Sequence, residues 1–447
     1  MKPAKFFFKC ITLVSIIITL SFSDSNAQAP FARGVNLTNW FQTSDSHQIQ
    51  FTKYTKQDFE NIKSLGCDVV RLPINLHAMT SGAPDYVVDT LFLSFLDQAV
   101  NWAEDLEINL IIDNHTFNPS ESTDPNIGYI LNKVWKQLAV HYKNRSKLIF
   151  YEVLNEPHGI SDEAWGTIQQ DVINTIRQVD TKHTIVVGGS GFNSYNNLGK
   201  IPEYTDDNLL YTFHFYDPFV FTHQGASWVT PSMVPLAGVP FPYREQDMPA
   251  CPESIKGSWI ESALNDYPNT GNVEHVKQLI DIAVAFRDSR KVNVFCGEFG
   301  VYIPNSNPAD RNYWYKEVRS YLEEKNIPWT SWDYHGGFGI FKPNTGGRFN
   351  YDLNLPLLEA LGLNIPEQQT WIPQPDSTGF PVYTDYIAQH INEAGYANGG
   401  TIDYYSAEMP HDGDYALYWA GSEQYGQVGF DFVPDKDLSE LKKKIMP

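Results

Sequence analysis

Cysteine is scarce in this sequence, with four residues among 447. Cys10 falls in the apolar N-terminal stretch, which leaves Cys67, Cys251 and Cys296 in the rest of the chain. The odd number argues against a disulfide framework, and Cys67 and Cys296 lie in apolar patterns where cysteine behaves as a small hydrophobe. We therefore expect no cysteine to have a catalytic role.

Positive charge is also under-represented. The chain has 32 Lys and Arg against 53 Asp and Glu, a formal net charge of −21. Such a surface repels phosphate backbones and anionic lipid, which argues against nucleic acid and membrane partners. A neutral polymer meets no electrostatic penalty, so the expected partner is an uncharged polysaccharide.

Metal and nucleotide motifs are missing. No H-E-x-x-H or comparable spacing occurs, and Gly188-Gly189-Ser190-Gly191 lacks both the dinucleotide fingerprint and a P-loop lysine. The sequence therefore predicts no metal and no cofactor. The histidines that could be imagined as zinc ligands, but lack such a spacing, are His77, His115, His158, His214, His223 and His335.

The N-terminus has the pattern of a secretory signal. Lys2, Lys5 and Lys9 precede an apolar core from Ile11 to Phe22, which is followed by small residues suited to cleavage near Ala27. The core is short for a membrane span. We expect residues 1–27 to be removed and the protein to be secreted, extracellular or periplasmic, with an uncleaved anchor as the alternative.

Residues 28–364 alternate short apolar runs with amphipathic segments. Eight strand candidates, each followed by a crossover segment, predict an α/β fold, a (β/α)₈ TIM barrel. The strand candidates are Ala32–Val35, Val69–Leu72, Ile108–Asp113, Leu148–Leu154, Ile185–Gly188, Leu209–Phe215, Val292–Cys296 and Trp329–Trp332.

Two of these strands end in glutamate. Glu156 follows the fourth strand candidate and Glu298 follows the seventh. In a parallel barrel both strand ends face the same side, where the chemistry of this fold is located. A glycosidase needs such a pair, one acid to protonate the leaving oxygen and one carboxylate to attack the sugar.

A long stretch without clear periodicity separates Tyr216 from about Ile260. Loops of this length inside a compact domain are usually functional, so we expect it to form a wall of the cleft. Trp228 and Trp259 are candidate sugar platforms, and loop packing explains them equally well. Trp40 is a further candidate for a sugar subsite.

The sequence pattern changes after residue 364. Several prolines mark residues 365–384 as a linker, and period-two apolar runs in 385–447 predict a β-rich, incomplete sandwich-like module. Because this module carries none of the strand-end residues, we expect it to be dispensable for chemistry. The alternative is that its aromatic side chains pack against the barrel or extend the cleft, the candidates being Tyr418, Trp419, Tyr425 and Phe430.

Six short motifs give this chain a resemblance to glycoside hydrolase family 5, within the retaining clan of (β/α)₈ glycosidases, and to the cellulases of that family. The likeness covers roughly residues 31–362, and the motifs occur in the order of the family at the strand ends. They are Arg71-Leu72-Pro73, Asp113-Asn114-His115, Leu154-Asn155-Glu156-Pro157, His214-Phe215-Tyr216, Gly297-Glu298-Phe299-Gly300 and Trp332.

The resemblance implies a role for each matched residue. Glu156 matches the acid/base and Glu298 the nucleophile, while Arg71 and Tyr216 match the groups that hydrogen-bond the nucleophile. Asn155 matches the ligand of the sugar 2-hydroxyl. The remaining matches are residues that line the subsite of bond cleavage, where Trp332 is the sugar platform: His115, His214 and Trp332. The alternative for Arg71 and the histidines is a purely structural role at the barrel rim.

The sequence therefore predicts a secreted, retaining endo-β-1,4-glucanase that acts on cellulose or a related β-glucan. A β-mannanase, licheninase or xyloglucanase of the same family remains open, since loop residues set that selectivity. A non-catalytic polysaccharide-binding protein is a further alternative, although such a protein would be expected to lack one glutamate. The oligomeric state does not follow from the sequence.

Overall fold

A computed structural model describes residues 29–116, 118–372, 380–395, 398–433 and 436. The predicted signal peptide lies outside these residues. Eight parallel strands within the described ranges form a closed barrel in sequence order, in which the first strand pairs with the eighth. This confirms the predicted barrel. The strands are β1 (Arg33–Asn36), β2 (Val69–Ile74), β3 (Asn109–Asn114), β4 (Ile149–Glu152), β5 (Thr184–Gly188), β6 (Leu209–Phe215), β7 (Asn293–Phe299) and β8 (Trp329–Ser331).

Helices connect the strands. Several begin at a side chain that accepts a hydrogen bond from a backbone N–H of the first turn, as Asp89, Ser161 and Asn272 do. The α-helices in the described ranges are α1 (Lys56–Ser64), α2 (Thr90–Asp105), α3 (Gly128–Tyr142), α4 (Asp162–Arg177), α5 (Phe219–Thr222), α6 (Trp259–Thr270), α7 (Val273–Arg290), α8 (Pro308–Glu324) and α9 (Leu355–Ala360).

Helix α6 begins inside the segment that the sequence presents as aperiodic. Ser258 caps it by accepting from the N–H of Ile260, but Pro268 lies within the helix and interrupts the local pattern. Between Tyr216 and the start of α6, this segment contains one short helix, α5, and isolated 3₁₀ turns. No helix in the part of the chain that the structure describes is long and apolar enough to cross a bilayer.

The interior of the barrel has two levels. The lower level is an apolar cluster to which six strands and the N-terminal Phe31 contribute, and the ring of Phe31 meets Phe150 and Phe295 edge-on. Because side chains alternate along a strand, the inward residue two positions after Val69 is Arg71, and the one two positions after Phe150 is Glu152. The upper level is therefore charged.

Strand register brings the polar residues level with one another. Asn36 pairs with Arg71, Asp113 pairs with Glu152, and His214 pairs with Glu298 across an irregularity at Gly297. A Cβ atom on Gly297 would lie 2.7 Å from the hydroxyl of Thr212, so only glycine fits there.

The C-terminal segment forms two antiparallel two-stranded sheets. β9 (Ile391–Glu393) pairs with β12 (Phe430–Phe432), and β10 (Thr401–Ser406) pairs with β11 (Ala416–Ala420). The predicted β-rich character is therefore confirmed.

This segment shares its core with the barrel. Ile387, Ile391, Tyr404 and Tyr405 belong to the buried cluster that also contains the apolar side chains between barrel and helices. The Tyr405 ring lies 5.0 Å from that of Phe95 on α2.

Hydrogen bonds tie the same segment to the loop after β1. His47 Nδ1 lies 2.8 Å from an Asp403 carboxylate oxygen, the Tyr405 hydroxyl donates to the carbonyl of Ile49, and Gln50 donates to the carbonyl of Ile391. These contacts favour the alternative in which the C-terminal aromatics pack against the barrel. Of the four aromatic residues expected to do so, Phe430 packs against this cluster, whereas Tyr418, Trp419 and Tyr425 are exposed.

Candidate active site

Arg71 on β2 is the centre of the polar cluster at the C-terminal end of the barrel. Its guanidinium is fully buried and donates from Nε and Nη2 to the two carboxylate oxygens of Glu152, at 2.7 and 2.8 Å. Nη1 donates to Glu298 at 2.7 Å and to the Asn36 amide oxygen at 3.0 Å, and Nη2 also donates to Asn155 at 2.7 Å. One cation thus orients groups from three other strand ends.

The cluster contains more carboxyl groups than cations. Asp113 lies 2.9 Å from Arg71 Nη2, beside the bidentate Glu152. Burial alone would lower the pKa of the Arg71 guanidinium, but Asp113, Glu152 and Glu298 outweigh it and raise that pKa. Burial also raises the pKa of Asp113 to about 7 and raises the pKa of Glu152.

Glu298, near the end of β7, accepts a hydrogen bond on each of its two carboxylate oxygens. Arg71 donates to one oxygen, and the Tyr216 hydroxyl donates to the other at 2.9 Å. The pKa of Tyr216 is held well above its usual value by burial and by the neighbouring Glu298, so the phenol remains a donor. These two donors fix the direction of the Glu298 carboxylate, which suits a nucleophile.

Glu156, beyond the end of β4, has a different environment. Its Oε1 atom lies 2.6 Å from His214 Nδ1. Burial raises the pKa of Glu156 to about 7, although the positive charge of Arg71 opposes that rise. Burial also lowers the pKa of His214 to about 4, so the imidazole is neutral near pH 7. This carboxyl can therefore hold a proton near neutral pH, as a general acid must.

The two glutamates face each other closely. One carboxylate oxygen of Glu156, one of Glu298 and one ring nitrogen of His214 lie within 4.8 Å of one another, the one such group of potential metal ligands among the described residues. A cation there would compete with the guanidinium of Arg71 and the Tyr216 hydroxyl, which already occupy both oxygens of Glu298. The donor set therefore fits a pair of reacting carboxyl groups better than a metal.

His115 and Trp332 form one wall of the site. Their rings stack at 5.4 Å with an interplanar angle of 14°. Asp113 fixes the histidine, since its Oδ2 lies 2.7 Å from His115 Nδ1. Burial lowers the pKa of His115 to about 4, so this ring too is uncharged near neutrality.

Trp40 corrects one expectation. Its side chain is 1% exposed, stacks on Trp102 at 6.2 Å and donates from Nε1 to the carbonyl of Phe51 at 3.0 Å. It therefore belongs to the core beneath the loop after β1 and presents no face to a sugar. Trp228 and Trp259, in contrast, are both exposed.

The structure adds residues that the sequence reasoning did not select. Glu152 and Asn36 hold Arg71, Asp113 holds His115, and His223 lies in the cleft with its ring 5.0 Å from that of Tyr216. A signal was present for Glu152, because a charged residue on the inward face of an otherwise apolar strand must find a buried partner. Asn36 and His223 had no comparable signal.

Comparisons with known proteins identify the family. The family model of the cellulases, glycosyl hydrolase family 5, matches residues 26–337. Endoglucanase 3 of Fibrobacter succinogenes is 31% identical over 338 residues, and this chain spans half of its length. Endoglucanase C of Acetivibrio thermocellus is 30% identical over 319 residues, which are 68% of this chain and 91% of the relative.

Solved structures give the same result. Endoglucanase Cel5A from the hyperthermophilic Thermotoga maritima is similar with a TM-score of 0.62 and 26% identity, covering 74% of this chain and 96% of that one. The same Thermotoga protein in complex with mannotriose is similar with a TM-score of 0.62 and 25% identity, covering 74% and 97%. With its barrel, its paired glutamates and these relatives, the chain belongs to the cellulase family, glycosyl hydrolase family 5.

Proposed function

We propose that this family 5 glycoside hydrolase is a secreted endo-β-1,4-glucanase that hydrolyses cellulose or a related β-glucan with retention of configuration. The observation that carries the proposal is that one carboxylate oxygen of Glu156 lies at most 4.8 Å from one of Glu298. Retaining glycosidases place their carboxyl groups about 5–5.5 Å apart, whereas inverting enzymes need roughly 6.5–9.5 Å to admit a water.

In the proposed mechanism Glu298 attacks the anomeric carbon while Glu156 protonates the departing oxygen. The Arg71 guanidinium and the Tyr216 hydroxyl hold the attacking carboxylate in a fixed direction. Once Glu298 is esterified its negative charge is gone, so the pKa of Glu156 falls. Glu156 can then accept a proton from a water molecule whose oxygen bonds to the anomeric carbon, while the ester bond to Glu298 breaks and the sugar is released.

The other matched residues position the sugar in this proposal. The Asn155 amide oxygen accepts from Arg71, which leaves its NH₂ group for the sugar 2-hydroxyl. Trp332 provides an apolar ring, and its stacking on His115 fixes the plane of that ring. His214 lies against Glu156 and holds the acid in place.

Two measurements test the proposal. Reducing ends released from soluble cellulose derivatives, lichenan, mannan and xyloglucan identify the polymer, and NMR of the first product identifies its anomer. We expect the cellulose derivative to be cleaved fastest and the β-anomer to appear first. An α-anomer from a β-glucan would contradict the double displacement, and hydrolysis of none of the polymers would contradict a glycosidase function.

Mannan is the second candidate, and one observation favours it. The Thermotoga endoglucanase, 25% identical to this chain, has been solved with mannotriose. Since Asn155 is the group proposed to bind the 2-hydroxyl, which differs in orientation between glucose and mannose, comparing kcat/KM on the two polymers tests this alternative directly.

The proposal that the protein is secreted rests on the N-terminal signal pattern. N-terminal sequencing of protein recovered outside the producing cell is expected to begin near Gln28 or Ala29. Recovery of the protein only from the cell interior, with the first residues intact, would contradict export.

A further inference from the structure

A second large groove lies next to the catalytic cleft. Its volume is about 700 Å³, against about 450 Å³ for the cavity that contains Glu156 and Glu298. None of the described residues lines both cavities, but the loop after β8 joins them, because Trp332 lines the cavity of the glutamates and Tyr334 lines the groove. The groove is therefore separate from the reacting groups and close to them.

Three parts of the chain form this groove. Gln57 and Asn61 come from α1, residues 347–351 come from the loop after β8, and Trp371 and residues 388–391 come from the part of the chain that follows the barrel. The C-terminal segment therefore contributes to a concave surface of the enzyme as well as to its core.

Trp371 gives the groove an exposed aromatic ring, since 43% of this residue is exposed. The guanidinium carbon of Arg348 lies 4.2 Å from the centre of the Trp371 ring, and the ring of Tyr351 meets the indole edge-on at 5.3 Å. These contacts hold the indole in one orientation. An aromatic ring that is exposed and yet held in place suits stacking on the apolar face of a sugar ring.

The charges that line the groove balance one another. Arg348 is paired with Asp352, to which it donates from Nε at 2.8 Å and from Nη2 at 3.1 Å. Burial lowers the pKa of His390, so that its imidazole is neutral near pH 7. Among the described residues, the other charged side chains of the lining are Asp58 and Lys436, which have opposite signs. The groove therefore suits a neutral ligand better than an ion.

Amide side chains supply the hydrogen-bonding groups of the lining. They are Gln57, Asn61, Asn350 and Gln389. Gln57 donates from Nε2 to the amide oxygen of Asn61 at 3.2 Å, which leaves its own amide oxygen for a ligand. An amide has both donors and an acceptor, and a sugar hydroxyl likewise donates and accepts. A neutral ligand with flat apolar faces and many hydroxyl groups is a saccharide.

We propose that this groove binds a chain of the β-glucan substrate without cleaving it and so holds the polymer next to the cleft. The inference rests on the proposed glucanase function for the identity of the polymer. A polymer bound in the groove has its neighbouring units near the cleft at a high effective concentration. The affinity for long chains therefore rises, whereas short substrates that fill only the cleft gain nothing.

The test measures binding of the polymer while the cleft is blocked. A dinitrophenyl 2-deoxy-2-fluoro-β-cellobioside is expected to esterify Glu298, and mass spectrometry checks that labelling is complete. The labelled enzyme then migrates through native gels with and without hydroxyethyl cellulose. We expect the polymer to retard it, in proportion to the polymer concentration.

Variants of the groove decide which surface holds the polymer. In Trp371→Ala the association constant of the labelled enzyme should fall about fivefold, the effect of losing one aromatic contact, and Trp371→Phe should restore part of it. Asn350→Ala is a second variant, whose exposed side chain can be removed without disturbing the core. Trp419→Ala is the matched control, an exposed tryptophan on β11 outside the lining of the groove.

Activity of the unlabelled variants gives an independent measurement. Both groove variants should keep the wild-type kcat on an aryl cellobioside, which also shows that they are folded, and should have a raised KM on the polymer alone. Absence of retardation of the labelled wild type would overturn the second site, as would equal retardation of the wild type and both groove variants. Failure of the wild type to hydrolyse any polymer, or to react with the fluoro-sugar, would instead contradict the proposed function, so the two failures are distinguishable.

Discussion

The charged cluster inside the barrel and the C-terminal sheets are held in place by different kinds of interaction. Arg71 and the carboxyl groups around it are buried inside a closed ring of strands, and hydrogen bonds of 2.7 to 3.0 Å fix them. The C-terminal segment lies outside the ring and is attached by aromatic packing and a few hydrogen bonds to the loop after β1. The comparison separates residues that serve chemistry from residues that serve stability, and four predictions test that separation.

The largest expected effect is on Glu298. Glu298→Ala should lower kcat on the order of 10⁴-fold or more, because the covalent pathway loses its nucleophile. Added azide, a small anion that fits the vacated position, should restore turnover and give a glycosyl azide of inverted configuration, identified by NMR. Full hydrolysis by the variant without azide would show that another group attacks the sugar.

Glu156 should come next. Glu156→Gln should lower kcat about 10²- to 10⁴-fold on polymer, the usual contribution of a general acid, and less on a substrate with an activated leaving group. In the wild type the acid must be protonated, and its pKa is raised to about 7. The value of kcat/KM should therefore be sustained below pH 7 and decline above it, and the variant should lack this decline.

Glu152 separates positioning from chemistry. In Glu152→Gln the side-chain NH₂ group would face an N–H of Arg71, so one of the paired hydrogen bonds is lost and Glu298 loses its fixed partner. We expect kcat/KM to fall about 10²-fold, the effect of a small misplacement.

The pH profile of the same variant is a second measurement. The charge of Glu152 raises the pKa of Glu156, so the decline of kcat/KM should move to lower pH in Glu152→Gln. Glu104→Gln is the control, since Glu104 makes a comparable 2.7 Å pair with Arg145 at the surface. A profile identical to the wild type would show that Glu152 has only a structural role.

The smallest effect on activity is expected for Tyr405. Tyr405→Ala should lower the free energy of unfolding by about 3 kcal/mol, the cost of removing a buried aromatic ring, and leave kcat almost unchanged. Tyr425→Ala is the control, because Tyr425 is 83% exposed. Urea denaturation measures the first quantity and turnover of an aryl cellobioside the second.

A truncation after Ile365 extends this test. The sequence alone predicts that it keeps its specific activity, whereas the contacts of the C-terminal segment predict a less stable enzyme, since Phe51 and Phe95 lose their cover. Full stability of the truncated chain would show that these contacts contribute little.

The sequence predicted the barrel and the strand-end residues because their signals are local. Short continuous apolar runs along β4 and β7 mark buried strands, and Glu156 and Glu298 follow directly from where the predicted strands end. The contacts of the C-terminal segment could not be predicted, because Tyr405 meets Ile49 from more than 300 positions away. The prediction that Trp40 lines a sugar subsite was wrong for the same reason, since Trp102, on which its ring stacks, lies on α2.

The position of Arg71 has a consequence for assembly. This single side chain contacts Asn36 of β1, Asp113 of β3, Glu152 of β4 and Glu298 of β7, so its hydrogen bonds join the beginning of the chain to its seventh strand. A chain folded only as far as β6 lacks both the nucleophile and the contacts that orient it. Turnover therefore reports that the ring of barrel strands has closed. The rate at which activity returns during refolding measures the rate of that closure.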